Sequence, residues 1–344
     1  MITATTGNLL TADAEALVNT VNCKGYMGKG IALQFRQAFP ENFKAYQRAC
    51  RAEEVRPGRM FVFETGELVN PRYIINFPTK RHWRGQARIA DIDSGLKDLV
   101  SVVERLRIRS IAIPPLGSGL GGLDWSLVRP MIVEAFAALP DVKVLLFEPG
   151  GAPKAADMPI RTPPPKMTVA RALLIKLMDQ YATLQYRRTL LEVQKLAYFL
   201  QAAGEPLRLR FEKGIYGPYA HNLNKVLEVL EGHYIRGFGD NQKPDTEISL
   251  SPNAVDEVDV FLEKHEDSRR RLEQVSELIT GFETPYGMEL LASTHWVATH
   301  EMPGGRDEAS AVRAVQDWNE RKRTAFQAHH IRVAWERLEQ LHWV

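Results

Sequence analysis

Apolar residues in the first 150 positions alternate between short continuous runs and stretches with helical spacing. Short apolar runs bounded by turn residues predict buried strands, whereas an apolar residue every three or four positions predicts a helix. The predicted strands are Ile2–Thr5, Ala16–Val21, Met60–Phe63, Tyr73–Phe77, Ser110–Ile113 and Val142–Phe147. The predicted helices are Gly30–Phe39, Glu41–Arg51, Ala90–Leu106 and Trp125–Leu139. This alternation predicts an α/β domain with helices on both faces of a sheet, where ligands bind at the carboxyl ends of strands.

The pattern becomes mostly helical after a segment rich in proline and glycine. Proline disrupts helices and sheet ladders, so we expect an extended linker over residues 151–166. One polar–apolar alternation predicts a short strand, Leu207–Phe211. The helices predicted after the linker are Thr168–Tyr181, Thr189–Ala203, Tyr219–Glu231, Asn253–Glu277, Gly287–Thr299 and Ser310–Gln340. The chain of 344 residues therefore divides into a predicted α/β domain, 1–150, and a mainly α-helical domain, 167–344.

Composition narrows the class of protein. Hydrophobic residues make up 44% of the chain and charged residues 25%, which excludes wholesale disorder. No window approaches the roughly 18 apolar residues that span a bilayer, and the first residues lack the pattern of a secretory signal. Cys23 and Cys50 are too few for a disulfide framework, and no metal-binding motif occurs. We therefore expect a cytoplasmic protein without a membrane association or a bound metal.

The charge is unevenly distributed although the whole chain carries only +2. Residues 1–150 hold 19 basic and 15 acidic side chains, and the remainder holds 25 and 27. A basic strip over residues 80–88 combines four cations with one histidine and one tryptophan. Cations neutralise phosphates and an indole stacks on unpaired bases, so we expect Arg81, His82, Trp83 and Arg84 to hold single-stranded DNA. A solvated loop with a half-buried tryptophan is the alternative.

Two glycine-rich loops follow predicted strands. Gly28-Lys29-Gly30-Ile31 comes after the strand that ends near Asn22, and Ser118-Gly119-Leu120-Gly121 comes after Ser110–Ile113. Glycines let main-chain N–H groups approach an anion closely, and each loop precedes a helix whose N-terminus favours negative charge. The pair suggests two clamps around a diphosphate, although a tight turn explains either loop alone. Neither loop has the lysine–serine or lysine–threonine pair of a Walker A motif.

Four motifs in residues 1–150 together resemble the macrodomain family. They are Gly7-Asn8-Leu9-Leu10, Ala16-Leu17-Val18-Asn19-Thr20-Val21-Asn22, Gly28-Lys29-Gly30-Ile31-Ala32 and Pro115-Leu116-Gly117-Ser118-Gly119-Leu120-Gly121. The resemblance implies a three-layer α/β/α fold with a mixed sheet that binds ADP-ribose. Within the family the chain is similar to the DarG antitoxins. Their partner is a DarT-type toxin that attaches ADP-ribose to thymine in single-stranded DNA.

The resemblance also implies roles for particular residues. Lys80 matches the catalytic lysine, and Asn22 matches an asparagine beside the distal ribose. Where a relative has an acidic residue in the second loop, this chain has Gly121, which puts a carboxylate partner for the lysine in doubt. No cofactor is implied. The residues implied in ADP-ribose binding are Asn8 at the adenine, Leu9 next to it in the sequence, the loops Gly28, Lys29, Gly30, Ile31 and Ser118, Gly119, Leu120, Gly121, and Phe147 beside the adenine.

The position of Lys80 supports a chemical role in its own right. Lys80 follows the predicted strand Tyr73–Phe77 at its carboxyl end, where a ligand is expected. We expect burial and the neighbouring cations Arg81 and Arg84 to lower the pKa of the Lys80 amine and make it a nucleophile. A solvated loop lysine is the alternative.

Two motifs in the second half resemble the helical domain called Panacea, which is found in toxin-neutralising antitoxins. They are Leu191–Leu200 and Phe211–Tyr219. The resemblance implies a surface that binds the toxin, with Tyr216 and Tyr219 as candidate anchors because interface hot spots favour aromatic residues. A plain core role for both tyrosines is equally compatible with the sequence.

The sequence thus predicts an antitoxin that hydrolyses ADP-ribosyl-thymine in single-stranded DNA and binds the toxin. Three alternatives stay open. The chain could read ADP-ribose without cleaving it, or hydrolyse ADP-ribosyl-protein or O-acetyl-ADP-ribose. It could also act mainly by sequestering the toxin through residues 166–344.

Overall fold

A computed structural model describes residues 1–150, 158–182, 188–239, 244–302 and 307–344. The chain forms two compact units, Met1–Pro163 and Pro164–Val344. Part of the linker predicted over 151–166 lies outside the described residues. Met158 packs against the apolar cluster that includes Leu9 and Leu10, and the main-chain N–H of Arg161 donates to the carbonyl of Gln37 at 2.9 Å. The segment from Met158 to Pro163 is therefore part of the first unit.

A six-stranded mixed sheet forms the centre of the first unit. Its strands are β1 (Ile2–Thr5), β2 (Ala16–Asn22), β3 (Phe61–Glu64), β4 (Tyr73–Lys80), β5 (Ser110–Ile113) and β6 (Lys143–Phe147). They lie in the order β1-β6-β5-β2-β4-β3, and all neighbours are parallel except β3 and β4. The helices are α1 (Gly30–Ala38), α2 (Pro40–Arg51), α3 (Ile89–Arg105) and α4 (Trp125–Ala137).

Helices cover both faces of this sheet because successive strand residues point to opposite sides. Ala16 and Val18 of β2 pack in one cluster with the apolar faces of α3 and α4. Leu17 packs with residues of α1, and Val21 packs with residues of α2. The predicted three-layer α/β/α fold is confirmed.

Strand β4 is longer than the sequence predicts, since it continues from Phe77 through Pro78 to Lys80. Proline is tolerated inside a strand only where the N–H that it lacks would not face a neighbouring strand. Strand β3 pairs with β4 only as far as Asn76, so Pro78 lies where that side of β4 has no neighbouring strand. Lys80 is therefore the last residue of a strand and not a residue of the loop that follows it.

The second unit is mainly helical, as predicted. Short hairpins add β7 (Phe211–Gly214), β8 (Gly217–Ala220), β9 (Ile235–Arg236) and β10 (Ser249–Leu250). A π-helix, Val297–Glu301, continues α10. The helices are α5 (Val169–Ala182), α6 (Leu190–Ala202), α7 (Leu223–Leu230), α8 (Ala254–Leu262), α9 (Glu266–Ile279), α10 (Pro285–Trp296), α11 (Glu308–Gln316), α12 (Glu320–Ala325) and α13 (Ala328–Gln340).

Four predictions in this unit were wrong in their bounds. The helix expected over Tyr219–Glu231 begins only at Leu223, because Tyr219 and Ala220 belong to β8. The predicted helix Asn253–Glu277 is two helices, and Ser310–Gln340 is three. One of the added breaks lies at Asn319, whose side chain accepts from the N–H of Lys322 at 2.8 Å and starts a new helix. The strand expected over Leu207–Phe211 begins only at Phe211, because Arg208 adopts a φ of 57° that interrupts extended backbone.

Helices α6 and α10 form the centre of this unit. Residues of α6 are buried on every side, including the polar Glu192, Gln194 and Lys195. A capping box at Thr189 and Glu192 starts α6. In the described ranges, no helix is both long and apolar enough to cross a membrane.

Candidate active site

Lys80 and Asn22 lie side by side at the carboxyl ends of neighbouring parallel strands. They are register partners in β4 and β2, next to an irregularity between Val21 and Asn22. The Asn22 amide donates to the carbonyl of Tyr26 at 2.6 Å and accepts from the N–H of Lys24 at 2.8 Å. The buried Asn22 side chain therefore holds the first glycine loop in place beside Lys80.

The Lys80 amine is bound by the second glycine loop. Its Nζ donates to the carbonyl oxygen of Leu120. The neighbour of Leu120 is Gly121, the residue that stands where a relative carries an acidic side chain. In this chain a main-chain carbonyl, not a carboxylate, is the partner of the lysine.

Burial lowers the pKa of Lys80, and the positive charge of Lys29 lowers it further. The expectation that Arg81 and Arg84 supply this effect was wrong. Arg81 forms an ion pair with Asp91, with Nη2 and Oδ1 3.0 Å apart, so its charge is largely neutralised. Arg84 lies over the Trp83 ring, 4.5 Å from its centre. Lys29, from the first glycine loop, is the cation that acts on the amine.

The two glycine loops are close to each other. A Cβ built on Gly30, whose φ is 53°, would lie 3.4 Å from the Cδ1 of Leu120. A Cβ on Gly121 would lie 2.2 Å from the carbonyl oxygen of Gly117, a distance that no side chain tolerates. The N–H of Ala87 donates to the carbonyl of Gly121 at 3.0 Å, which ties the basic strip to the second loop. Lys80 therefore lies in a cradle formed by both loops.

The residues expected at the adenine form a separate corner of the same unit. Leu9 and Phe147 are both buried in one apolar cluster with Leu10 and Phe35. The Asn8 oxygen accepts from the N–H of Leu10 at 3.0 Å and caps the short 3-10 helix Leu9–Thr11. The structure thus brings Asn8, Leu9 and Phe147 together, while Asn8 also performs the capping role that its sequence context suggests.

The basic strip is exposed from Arg81 to Gln86. Trp83 keeps 42% of its surface exposed, and the His82 ring stacks on it with centres 5.3 Å apart. The His82 Nδ1 accepts from the N–H of Arg84 at 3.2 Å, which orders this tight turn. Sequence reasoning missed one neighbour, Tyr26 of the first glycine loop, whose ring centre lies 5.8 Å from that of Trp83.

Other candidates near the site are structural. Asp124 caps α4 by accepting from the N–H of Ser126 at 2.9 Å. Burial raises the pKa of Cys23 to about 11, so this thiol is not an activated nucleophile. Among the residues that the structure describes, no group of three His, Cys, Asp or Glu side chains could hold a metal ion.

The second unit contains a buried ionic cluster that sequence reasoning missed. Glu289 accepts from Lys322 at 2.5 Å and from both terminal nitrogens of Arg321, at 2.6 and 3.0 Å. Lys195 lies nearby on α6 and donates to the carbonyl of Pro218 at 2.7 Å. Burial lowers the pKa of Lys195 to about 7. These residues are far apart in the sequence, so no motif could reveal the cluster.

The candidate toxin anchors are half-buried parts of this unit. Arg321 lies over the Tyr216 ring, 4.6 Å from its centre. The Tyr219 hydroxyl donates to Asn224 at 3.3 Å. Ile215, between the strands of the β7–β8 hairpin, is the exposed apolar residue there, at 67%.

Comparisons with known proteins agree with this geometry. The Macro domain family model matches residues 18–132. The chain is 50% identical to a DNA ADP-ribosyl glycohydrolase of Thermus aquaticus, over 96% of this chain and 91% of that protein. It is 44% identical to the protein of the same description from Mycobacterium tuberculosis, over 98% and 99%.

Partial matches add two proteins. A transferase–glycohydrolase fusion protein of Thermosipho africanus is 33% identical over 42% of this chain and 40% of its own length. The solved macrodomain of Mycobacterium tuberculosis DarG is 57% identical and covers 44% of this chain and 99% of that one, with a TM-score of 0.43. The full-length matches at high identity show that the chain belongs to the DarG family of DNA ADP-ribosyl glycohydrolases.

Proposed function

We propose that this protein is a cytoplasmic hydrolase that removes ADP-ribose from thymine bases of single-stranded DNA. The observation that carries the proposal is the juxtaposition of Lys80 with Asn22, between two glycine loops, in a chain whose relatives are named DNA ADP-ribosyl glycohydrolases. The loops would bind the diphosphate through main-chain N–H groups. Asn8, Leu9 and Phe147 would hold the adenine, and Asn22 would orient the distal ribose.

The proposed chemistry uses the lowered pKa of Lys80. A neutral amine is a nucleophile, and burial with the Lys29 charge increases the neutral fraction near neutral pH. Its lone pair would attack the anomeric carbon of the distal ribose as the bond to the thymine nitrogen breaks. The attacking amine loses a proton as its new bond forms, the thymine nitrogen takes that proton, and water then releases ADP-ribose from the lysine. Alternatively, a protonated Lys80 would donate that proton while water attacks.

The decisive experiment compares the wild type with Lys80→Ala and Lys80→Arg on a single-stranded oligonucleotide that carries one ADP-ribosylated thymine. We expect ADP-ribose release to fall at least about 100-fold in both variants, because arginine keeps the charge but is not a nucleophile. Unchanged release by Lys80→Ala would end the lysine assignment. Trapping of a protein adduct by cyanoborohydride would distinguish attack by Lys80 from attack by water.

The same assay decides between this proposal and its alternatives. A protein that binds free ADP-ribose but releases none from DNA is a reader. Preferred turnover of an ADP-ribosylated protein or of O-acetyl-ADP-ribose would move the substrate class away from DNA. Thermal unfolding of each variant, measured beside activity, shows that a loss of turnover is not a loss of fold.

We also propose that the second unit binds a DarT-type toxin. The support is the fusion of both activities in the Thermosipho africanus relative and the resemblance of Leu191–Leu200 and Phe211–Tyr219 to an antitoxin domain. The full-length Lys80→Ala protein should still inhibit DNA modification by the toxin, in proportion to its concentration. If the Lys80→Ala protein left the transferase fully active, antitoxin function would depend on hydrolysis alone.

A further inference from the structure

Two aromatic side chains from different loops meet beside the candidate active site. Strands β2 and β4 end next to each other at Asn22 and Lys80. Tyr26 follows Asn22 by four residues, and Trp83 follows Lys80 by three. Their ring centres lie 5.8 Å apart with an interplanar angle of 52°. The pair is therefore assembled by the tertiary structure, close to the strand ends that carry Asn22 and Lys80.

Both rings are unusually exposed for large aromatic side chains. Tyr26 keeps 50% of its surface accessible and Trp83 keeps 42%, whereas Phe35, Tyr46 and Phe77 of the same unit are fully buried. Exposed aromatic surface contributes little to folding, because the stabilisation comes from removing apolar area from water. The fold itself therefore gives no reason for placing two such rings here.

The main chain at Tyr26 is held in place by the residue expected to orient the ribose. The Asn22 amide donates to the Tyr26 carbonyl at 2.6 Å, and the next residue, Met27, is buried. The Tyr46 hydroxyl in turn donates to the carbonyl of Asn22. The position of Tyr26 is thus coupled to the strand end that carries Asn22, as a substrate-contacting residue requires.

The geometry of the pair suits a planar ligand. Rings 5.8 Å apart leave no room for a third ring between them, and the Trp83 ring already has the His82 ring stacked on it and Arg84 over it. The tilt of 52° makes a corner in which a planar group would lie on the Tyr26 ring with the Trp83 ring beside its edge. Arg84 lies 4.5 Å from the centre of the Trp83 ring and supplies a cation for a neighbouring phosphate. Stacking surfaces with adjacent cations are the usual means of binding single-stranded nucleic acid.

We propose that Tyr26 and Trp83 form an aromatic corner that receives the nucleobase carrying ADP-ribose. Tyr26 thereby contributes to the choice of DNA over protein acceptors such as serine or glutamate, because these side chains have no ring that could stack on it. This inference rests on the proposed function, since it places the leaving base of that reaction.

The test measures binding separately from turnover. All variants are made in the Lys80→Ala protein, and fluorescence anisotropy gives the affinity for two probes: an oligonucleotide with one ADP-ribosylated thymine, and free ADP-ribose. Tyr26→Ala should weaken binding of the oligonucleotide about tenfold and change the affinity for ADP-ribose less than twofold. Tyr26→Phe should restore binding, because it keeps the ring.

Two further variants serve as controls for the effect of Tyr26→Ala. Tyr26→Leu retains apolar bulk without an aromatic face, and it should be as weak as Tyr26→Ala. Leu68→Ala changes a fully exposed side chain before β4, at the end of that strand opposite Lys80, and should leave both affinities unchanged. Thermal unfolding of all variants confirms that each is folded.

Several outcomes would overturn the inference. They are unchanged oligonucleotide binding in Tyr26→Ala, an equal loss of affinity for free ADP-ribose, and no binding of the modified oligonucleotide by the parent protein. The proposed function fails separately, if the wild type binds this oligonucleotide and does not cleave it. In that case the affinities of the Tyr26 variants still decide whether the corner exists.

Discussion

Each of the two units holds lysines whose pKa is lowered, and the settings of these lysines differ. Lys80 of the first unit is partly exposed at a strand end, and its amine is bound by the main-chain carbonyl of Leu120. Lys195 and Lys322 of the second unit are fully buried. Lys322 is paired with Glu289, whereas Lys195 has the carbonyl of Pro218.

The comparison separates two consequences of burying a lysine. Removal from water lowers the pKa at all three positions, so the shift by itself does not mark an active site. Of these three lysines, only Lys80 is partly exposed, and it also has two glycine loops beside it. In the second unit the same physical effect acts on stability and on the geometry of the packed helices.

The largest effect is expected when the carboxylate of Glu289 is removed from the buried ionic cluster of the second unit. Glu289→Gln leaves Lys322 and Arg321 without a counter-charge, so the free energy of unfolding of the second unit should fall by about 3–5 kcal/mol. The rate of ADP-ribose release should not change at temperatures where the protein is folded. Urea unfolding followed by circular dichroism, with activity measured in parallel, checks both statements.

A matched control for Glu289 is Glu266→Gln on α9. Glu266 forms an exposed ion pair with Arg270 at 2.6 Å, and such pairs contribute about 0–1 kcal/mol. Similar losses in the two variants would mean that burial of the Glu289 cluster has no special energetic role.

The next largest effect is expected in the loop that binds Lys80. Gly121→Ala places a Cβ 2.2 Å from the carbonyl oxygen of Gly117, so the loop must move and carry the Leu120 carbonyl with it. A displacement of about 1 Å near reacting groups lowers rates roughly 100-fold, which is the loss expected in kcat. Steady-state kinetics on the modified oligonucleotide measures it.

Gly119→Ala is the control within the same loop. A Cβ there would meet no atom within 4 Å, so its melting temperature should stay at the wild-type value, whereas that of Gly121→Ala should fall. Wild-type kcat and stability in Gly121→Ala would show that the loop does not position Lys80.

A smaller effect is expected in the way the free energy of unfolding depends on pH. The folded pKa of Lys195, about 7, lies below its ordinary value of 10.5, so the unfolded chain binds more protons between these limits. Stability should therefore rise with pH above about 7, by up to about 1.4 kcal/mol per pH unit from this group. Lys195→Met should lose this rise, and Lys264→Met, at an exposed position, should keep it. Chemical denaturation at several pH values measures the slope, and an unchanged slope in Lys195→Met would contradict the assignment.

The smallest expected effect tests whether the charge of Lys29 lowers the pKa of Lys80. Lys29→Met removes the cation that lowers the pKa of Lys80, so the rise of kcat with pH should move to higher pH if the neutral amine reacts. Because kcat is measured at saturating substrate, weaker binding of the substrate phosphates in Lys29→Met does not affect it. Lys24→Met, in the same loop, should leave the profile in place. A rising limb that stays in place or moves to lower pH in Lys29→Met would contradict the effect of Lys29 on the pKa of Lys80, and a wild-type kcat that falls as pH rises through this pKa would exclude a neutral nucleophile.

Local sequence patterns predicted the bounds of an element correctly where those bounds depend on the residues of the segment itself. Strands β1 and β5 have the predicted bounds, because a short apolar run between turns has few other ways to be buried. Predictions were poorest where a distant residue ends an element. Strand β4 passes through Pro78 because β3 stops pairing at Asn76, and neither event is written in the Tyr73–Lys80 segment itself.

The same distinction applies to the candidate site. Motifs placed Asn22, Lys80 and both glycine loops at strand ends, because the carboxyl ends of parallel strands meet at one edge of a sheet. The partners of Lys80 could not be predicted in this way. Leu120 binds it through a main-chain carbonyl, which any residue type possesses, and Lys29 acts on it across space.

By itself, the sequence determined the layered fold and the strand ends at which chemistry is expected, since these follow from local spacing of apolar and glycine residues, and four of its motifs carried the resemblance to the family. The tertiary structure decided which charges and rings meet: Lys29 with Lys80, Tyr26 with Trp83, and Glu289 with Lys322. The physical reason is the range over which each kind of interaction acts along the chain. Backbone preference and apolar spacing act between neighbours in the chain, whereas electrostatic and stacking interactions depend on distances that only the folded chain defines.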